Sequence, residues 1–257
     1  MRPDPYAWSA DLETLVLVPG LLVAYAVALR VHPAPRRRVA AFLAGLGLVL
    51  AAFLTPLQSL SLHYLLSAHL LQNVVLAEWA PALCVLGLPP TLAASVAALP
   101  GFRTLTHPFL ALLLWLGTYF VWHLPWAYDA ALRHPGTLLH VEHACYFVSG
   151  CLLWWPLVHE RPRRLSDGAK AVYLFGAFVL ASPLGLLLSL LPSAIYDFYA
   201  DAPRLWGLSA LADQQIAGAT MAAEQAVVFF AVCAFFFARF LAVEESREAF
   251  RATPGSR

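Results

Sequence analysis

Seven long apolar stretches divide this 257-residue chain, and they restrict the folds open to it. Hydrophobic residues make up 61% of the sequence and charged residues only 12%, whereas a soluble domain carries roughly 25% charged residues. Most of the stretches approach or exceed the ~20 residues that an apolar helix needs to cross a bilayer. We therefore predict an all-α, polytopic membrane bundle of about seven transmembrane helices, forming a single domain over residues 1–257. The predicted spans are residues 12–29, 39–54, 62–86, 109–122, 138–158, 169–191 and 214–242.

The basic residues predict how the bundle is oriented. Of the sixteen Lys and Arg residues, thirteen lie in the first, third and fifth loops and the C-terminal tail. The other side holds only Arg2, Arg133 and Arg204. Since cytoplasmic loops carry the excess of Lys and Arg, the N-terminus is predicted outside and the C-terminus in the cytoplasm. The net charge of +1 gives no reason to expect nucleic acid as a partner.

Two segments between the spans have distinct predicted roles. Residues 91–99 are apolar but too short to span, so they are expected to lie at the membrane interface or to re-enter it. Residues 192–213, the lid segment, are rich in Tyr, Asp, Pro and Trp. This longest outer segment is expected to cover whatever lies at the outer face.

Histidines gather near the predicted outer ends of three spans. On the third span, Gln72 and Asn73 follow His69 by one turn and share its face, because a helix advances ~100° per residue. His63 is expected on the same helix, ~9 Å above His69 along the axis. The fourth span ends at His123.

The fifth and seventh spans add further ligand types at a similar depth. His140 and His143 are three residues apart and share a helix face, so they are predicted to be able to bind one ion together. Glu142 points elsewhere, in a position to orient an imidazole on a neighbouring helix. The seventh span supplies Asp213, Gln214 and Met221. Imidazole with a thioether nearby suits copper, and imidazole alone suits zinc, copper or iron.

A structural role for the same polar residues remains the alternative, since buried His, Gln and Asn side chains can join helices through hydrogen bonds. The other four histidines, His32, His107, His134 and His159, are predicted to be loop residues.

Two acidic residues are predicted deep in the membrane. Glu78 lies ~22 Å along the third span from His63, and Glu224 lies ~16 Å along the seventh from Asp213. Intramembrane carboxyl groups are functional candidates. A proton-linked or ion-linked role and a protonated carboxyl that only hydrogen-bonds to a neighbour are both consistent with the sequence.

Four segments together resemble the CtaG-type cytochrome c oxidase assembly factors of bacteria, a family associated with caa-type oxidases. They run in order from the third span to the seventh. The segments are His69-Leu-Leu-Gln72 with Ala80-Pro81; Trp122-His123-Leu-Pro125 with Tyr128-Asp129; His140-Val-Glu142-His143 with Trp154-Trp155-Pro156; and Trp206-Gly207-Leu208 followed by Asp213-Gln214-Gln215 and Met221.

This resemblance implies a role in maturing a heme–copper oxidase of the bacterial plasma membrane, at the copper-insertion stage. On this basis His69, His123, His140 and His143 carry over as metal-handling residues, with Glu142, Asp213 and Gln214 as supports. The family pattern has a second histidine four residues after the first on the third span, where this chain has Asn73. It usually has apolar residues or proline where Glu78 and Glu224 stand.

The sequence therefore predicts a cytochrome c oxidase assembly factor that is not an enzyme. It would take copper from a periplasmic or extracellular donor at His63, His69, His123, His140, His143 and Met221, supported by Gln72 and Asn73, and pass it to an oxidase subunit. Three alternatives stay open: a heme-binding membrane redox protein with two axial histidines, a proton- or ion-linked transporter built on the two acids, and a metal-free scaffold that docks oxidase subunits.

Overall fold

The computed structural model describes residues 4–9 and 12–252, so Arg2 and Arg257 lie outside the described residues. The described chain is helical and contains no strand, which confirms the all-α prediction. Its helices are α1 (Leu12–Val31), α2 (Arg36–Leu54), α3 (Pro56–His63), α4 (Leu66–Val74), α5 (Ala80–Gly87), α6 (Pro90–Ala97), α7 (Phe102–Leu105), α8 (Pro108–Trp122), α9 (Pro125–Arg133), α10 (Leu138–Val158), α11 (Asp167–Leu190), α12 (Asp197–Ala200) and α13 (Ala210–Ala252).

Helices occupy each of the seven predicted places, but not all are equally apolar. Among the described residues, five helices are long and apolar enough to cross a membrane, and α8 with α9 makes a sixth if the bent pair is one span. Helix α10 covers residues 138–158, as predicted. It carries two histidines and a glutamate in its first two turns, and it is not among the five helices that are long and apolar enough to cross a membrane. The count of seven and the orientation of the termini therefore stay predictions.

The third span begins later than predicted, and His63 is not part of it. The predicted span started at residue 62, but α3 ends at His63 and the backbone leaves helical geometry at Tyr64 and Leu65 before α4 begins at Leu66. The first free amide groups of α4 are held by a side chain from another helix, Asp213, which makes this restart stable. The predicted continuous stripe from His63 to His69 is therefore wrong.

Two other spans also differ from their predicted bounds. Helix α8 ends at Trp122 and the chain turns by 75° into α9. Proline at the start of α9 accounts for this break, because a proline disfavours helical geometry in the residue before it. The seventh helix covers Ala210–Ala252 instead of residues 214–242, since its C-terminal half continues through a polar stretch that contains an ion pair between Arg247 and Glu244.

The third span is the centre of the bundle. It consists of α4, a π-helical turn at Val75–Trp79 and α5. Of the residues in its most apolar part 72% are buried, against 17% for α1. Small residues on its neighbours let backbones approach closely: a Cβ added at Gly150 of α10 would lie 2.3 Å from the carbonyl oxygen of Ala77. Such contacts are the usual means of packing helices in lipid.

Helices α11 and α13 form a second close pair. A Cβ added at Gly218 of α13 would lie 2.5 Å from the carbonyl oxygen of Gly185 on α11. The outer faces of both helices carry exposed apolar side chains, among them Val172, Val227 and Phe230. Apolar surface of this extent suits a lipid environment and would be unfavourable in water. The described fold is therefore that of a membrane protein.

The short segments also bear on the predictions. Residues 91–99 overlap the eight-residue helix α6, which begins at Pro90 and is too short to span, as expected. His159, predicted to be a loop residue, does lie just beyond the end of α10, but only 8% of its surface is exposed, and its Nε2 is 3.0 Å from the carbonyl oxygen of Val85. Its position at the helix end explains the burial: the last turn of α10 packs against the end of the third span.

Candidate functional site

His69 lies at the centre of a buried polar cluster at one end of the bundle. Its side chain has no solvent exposure, and neither ring nitrogen has a hydrogen-bond partner among the described residues. Nε2 of His69 lies 3.6 Å from Oε1 of Glu142 on α10. Asn73, one turn further along α4, donates from Nδ2 to the same oxygen at 3.0 Å. The structure thus places Glu142 beside an imidazole of a neighbouring helix, the position the sequence predicted for it.

The second imidazole of the cluster belongs to His143. Its ring centroid is 6.1 Å from that of His69, and its Nε2 is buried without a hydrogen-bond partner. His140, one turn earlier on α10, lines a cleft of about 340 Å³ together with His143. Apolar residues of α1 and α2, including Leu17 and Phe53, complete that cleft. His143 is thus shared between the buried cluster and the cleft.

His123 lies at the break between α8 and α9, one aromatic ring away from His69. Its Nδ1 is 2.7 Å from the carbonyl oxygen of Tyr119 and 3.2 Å from the Tyr146 hydroxyl. A carbonyl oxygen can only accept, so Nδ1 carries the hydrogen and Nε2 keeps its lone pair. That Nε2 is buried and has no partner. The ring of Tyr128 lies 5.2 Å from His69 and 6.0 Å from His123, between centroids.

The lid segment covers the cluster with tyrosines. The ring of Tyr199 lies 6.4 Å from His69, and the ring of Tyr196 lies 4.3 Å from Tyr128. Burial raises the pKa of both lid tyrosines, so their phenol groups stay protonated. Asp129 on α9 accepts from the backbone amides of residues 197 and 198 at 3.1 Å, which holds the start of α12 in place.

Two side chains predicted as supports fix the backbone around the cluster. The Asp213 carboxylate accepts from the amide of Leu66 at 2.7 Å and from the amide of Ser67 at 3.2 Å, and so caps α4 three residues before His69. Gln214 accepts from the amide of Ile195 at 2.8 Å, and this bond fastens the lid segment to α13. Both residues act on position, not by direct contact with the imidazoles.

Three predicted residues lie elsewhere. His63 is exposed at the end of α3, where its ring contacts Tyr64. Gln72 donates to the carbonyl oxygen of Ala52 at 2.6 Å and to Gln58 at 2.7 Å, which ties α4 to α2 and α3. Met221 is buried and lines a small cavity that His123 and Asn73 also line. The structure therefore brings together His69, His123, His140 and His143, and leaves His63 apart.

The two deep acids meet in the structure, as their predicted depths suggested. Glu78 lies in the π-helical turn with no solvent exposure, and its Oε1 accepts from Nε2 of Gln225 at 3.1 Å. The carboxyl group of Glu224 accepts from the indole of Trp79, the residue that follows Glu78. Nε2 of Gln225 also contacts the Tyr119 hydroxyl at 3.0 Å. The acids thus belong to a buried network below the histidines.

The donor set at the histidine end fits a soft or borderline metal ion, but the side chains do not form a closed ligand shell. In the part of the chain that the structure describes, no group of three or more His, Cys, Asp or Glu side chains is arranged to hold an ion. Several buried atoms of the cluster nevertheless lack a partner, and buried polar groups normally have one. These atoms are both ring nitrogens of His69, Nε2 of His123 and His143, Oε2 of Glu142 and Oδ1 of Asn73.

One known protein family matches most of the chain. The model of the family described as cytochrome c oxidase caa3 assembly factor matches residues 21–242. This chain belongs to that family. The match confirms the resemblance seen in four separate motifs, and it covers every helix that contributes to the histidine cluster.

Individual relatives add little about function. An uncharacterized protein of Mycobacterium leprae is 28% identical over 176 residues, which cover 60% of this chain and 26% of the relative. An uncharacterized protein of Mycobacterium bovis is 27% identical over 175 residues, 59% of this chain and 26% of the relative. The chain thus spans about a quarter of the length of the curated relatives it matches. No solved structure shows a significant match.

Sequence reasoning missed the aromatic side chains that enclose the site. Tyr128, Tyr146 and Tyr199 are fully or almost fully buried and line the histidine cluster. Of these, Tyr146 follows Glu142 by four residues, so its place on the same face of α10 is visible in the sequence. The other two come from α9 and the lid segment, outside the predicted spans, and only the tertiary positions of these two segments bring them to His69.

Proposed function

We propose that this caa3 assembly factor helps to insert copper into cytochrome c oxidase, and that His69 and His143 are the residues that take the ion. Copper in this scheme is cargo, received from a periplasmic or extracellular donor and passed to an oxidase subunit. The bacterial plasma membrane is the proposed location, with the histidine end facing outward.

The observation that supports the proposal best is the state of His69. A fully buried imidazole with no partner on either nitrogen loses its hydration without compensation, a cost of roughly 2 kcal/mol for each unsatisfied group. His143 presents a second unpartnered nitrogen on the facing helix, and the ring centroids are 6.1 Å apart. A bound copper ion would give a nitrogen of each side chain a partner at once, because neutral imidazole is a suitable ligand for copper.

Glu142 has two proposed tasks beside this pair. Its Oε1 lies 3.6 Å from Nε2 of His69, so a small shift on metal binding would let it accept a hydrogen bond from that ring and leave Nδ1 as the donor atom for the metal. Its negative charge also offsets the positive charge of a bound ion in a region that has little water. Asn73 holds the carboxylate in position through its 3.0 Å hydrogen bond.

Transfer through such a site needs no bond-making catalysis. An ion bound by two imidazoles keeps open coordination positions, so an incoming ligand from the oxidase can replace one histidine at a time. The tyrosines of the lid segment exclude water from this end, and the cleft beside His140 offers a lateral approach. Ligand exchange between sites of similar affinity then sets the direction by mass action.

A metal-free scaffold is the second candidate function, and one observation favours it. The described side chains do not form a preorganised group of three metal-ligating residues. In a scaffold, the polar cluster would join α4, α8 and α10, and exposed apolar faces would dock oxidase subunits. The heme-binding and transporter alternatives differ from both, since the first predicts a Soret band in the purified protein and the second predicts proton-coupled flux that is lost in Glu78→Gln.

Copper content of the oxidase in cells distinguishes the two leading candidates. We expect cells that express His69→Ala/His143→Ala to assemble oxidase with less than a tenth of the wild-type copper, while His134→Ala, an exposed histidine at the end of α9, has no effect. Membrane levels of each variant are measured by immunoblotting to control for folding. Normal oxidase copper with a well-expressed double variant would contradict the copper role and support the scaffold.

A further inference from the structure

The carboxyl groups of Glu78 and Glu224 are only partly hydrogen-bonded in the described structure. Glu78 uses Oε1 to accept from Gln225, and Glu224 uses Oε1 to accept from the indole of Trp79. The Oε2 atoms of both are buried and have no partner among the described residues. The two donors are crossed: Trp79, which follows Glu78, donates to Glu224, and Gln225, which follows Glu224, donates to Glu78, so the two carboxyl groups are neighbours. Two acceptors in contact cannot form a hydrogen bond unless a proton lies between them.

Electrostatic repulsion also requires a proton between the two carboxyl groups. Two carboxylates in contact repel each other, and burial in an apolar medium disfavours the charged form of each. In the described structure, the groups that face the pair from α8, α13 and the π-helical turn are Tyr119, Gln225 and Trp79, all neutral donors. With no cation among these neighbours, one proton shared between the two acids removes the repulsion and satisfies both Oε2 atoms.

A small cavity connects this pair with the histidine cluster. Its volume is about 10 Å³, and its polar lining consists of Asn73, Glu78, Tyr119, His123 and Tyr146. Three of these residues carry a buried atom without a partner: Oδ1 of Asn73, Oε2 of Glu78 and Nε2 of His123. A cavity of this size holds about one water molecule, provided that it offers two or more polar partners.

We propose that Glu78 and Glu224 form a binding site for one shared proton, and that one water in the adjoining cavity connects this site to His123. The ligand is a proton, and the site is independent of copper. The carboxyl O–H of Glu78 donates to the water oxygen, and one O–H of the water donates to the lone pair on Nε2 of His123, so the acid pair and the imidazole belong to one hydrogen-bonded chain.

Such a chain of hydrogen bonds would join the acid pair to the histidine end without contact with bulk water. The tyrosines of the lid segment close the site from one side, while Glu224, half-buried on α13, lies at the other end of the network. Only the deep position of the acids makes this useful, because a surface carboxyl group would exchange with solvent directly.

Infrared spectroscopy of the purified protein in detergent at neutral pH tests for the shared proton. We expect a protonated-carboxyl C=O band that is abolished in Glu78→Gln/Glu224→Gln and retained in Glu224→Gln, where the remaining buried acid keeps its proton. Glu160→Gln, an exposed control, and Glu142→Gln should both retain the band. Absence of the band in the wild type, its persistence in the double variant, or its loss in Glu142→Gln would overturn the proposal.

Exchange into D₂O tests the connection through the cavity. The carboxyl band of the wild type should shift on deuteration within seconds, whereas Asn73→Leu and His123→Phe, which remove polar partners of the water, should slow the shift at least tenfold. Ser182→Ala on the lipid-facing side of α11 is the control. Two cavity variants that fold normally and exchange at the wild-type rate would show that the proton leaves by another route. A band that appears only after sodium is removed would show that the pair binds a cation instead.

Discussion

His69 of α4 and Glu142 of α10 face each other across the core of the bundle, with Nε2 and Oε1 3.6 Å apart and neither side chain in contact with solvent. This pair joins two helices whose polar residues are separated by more than seventy positions in the chain. It places a carboxylate next to an imidazole whose two ring nitrogens both lack a hydrogen-bond partner among the described residues.

Replacing Asp213 by Ala should lower the stability of the bundle by about 2 kcal/mol, because two amide groups at the start of α4 lose a charged acceptor in a buried position. The thermal unfolding midpoint in detergent measures the change. Asp201→Ala is the matched control, since Asp201 is exposed at the end of α12. Equal midpoints for the two variants would show that the contact does not stabilise α4.

Replacing Gly150 by Ala should disrupt the packing of α10 on the third span. The added Cβ would lie 2.3 Å from the carbonyl oxygen of Ala77, closer than atoms can approach, and overpacking of this kind costs roughly 1–3 kcal/mol. Gly176→Ala on α11 is the control, because nothing lies within 4 Å of its added Cβ. We expect lower membrane expression and a lower unfolding midpoint for the first variant only. A stable Gly150→Ala would mean that the helices separate at little cost.

Replacing Asn73 by His should raise affinity for copper at least tenfold. Asn73 is hydrogen-bonded to Glu142 one turn from His69, so an imidazole at this position adds a third nitrogen donor next to the existing pair. The resemblance to CtaG-type factors implies a histidine at this position. Competition with a copper(I)-specific chelator measures the affinity, and Asn73→Gln is the control for side-chain size. Unchanged affinity in a folded Asn73→His variant would place the ion away from Glu142.

Acidification should lower the free energy of unfolding of the protein, because His159 is buried in its neutral form. Burial lowers the pKa of this imidazole to about 4, and the charges of Arg38 and Lys170 act in the same direction, although the Val85 carbonyl partly opposes them. The unfolded chain takes up the proton near pH 6.5, so stability is complete above that pH and falls as the pH drops towards 4. The loss is on the order of 3 kcal/mol.

Unfolding midpoints measured between pH 7.5 and 4.5 test this expectation. His159→Gln keeps a donor for the Val85 carbonyl but cannot titrate, so its midpoint should fall less with acid than that of the wild type. Parallel curves for the two proteins would assign the acid sensitivity to other groups.

The helices and most polar neighbours of the site follow from the sequence for identifiable reasons. Long apolar runs determine where helices form, and helical periodicity places Asn73 below His69 and Glu142 on a different face of α10 from His143. The break at Tyr64 and Leu65 is not visible in the sequence, because it depends on Asp213 from a helix about 150 residues later. The enclosing tyrosines depend in the same way on the tertiary position of α9 and the lid segment.

The proximity of Glu78 and Glu224 is predictable from the sequence only in part. Their similar depth follows from counting residues along each helix, but their contact requires α13 to pack on the third span at a particular rotation. Local spacing along one helix is therefore predictable here, whereas contacts between helices are determined by packing at small residues and by caps supplied from distant segments.

The copper stoichiometry of the purified protein tests directly whether His69 and His143 bind the ion. After loading with copper(I) under anaerobic conditions and removal of excess ion, we expect about one copper per wild-type chain. The His69→Ala/His143→Ala variant should retain less than about 0.1 copper per chain, and His134→Ala should match the wild type. A wild-type protein that is folded and retains no copper, or a double variant that binds as much as the wild type, would contradict the copper role.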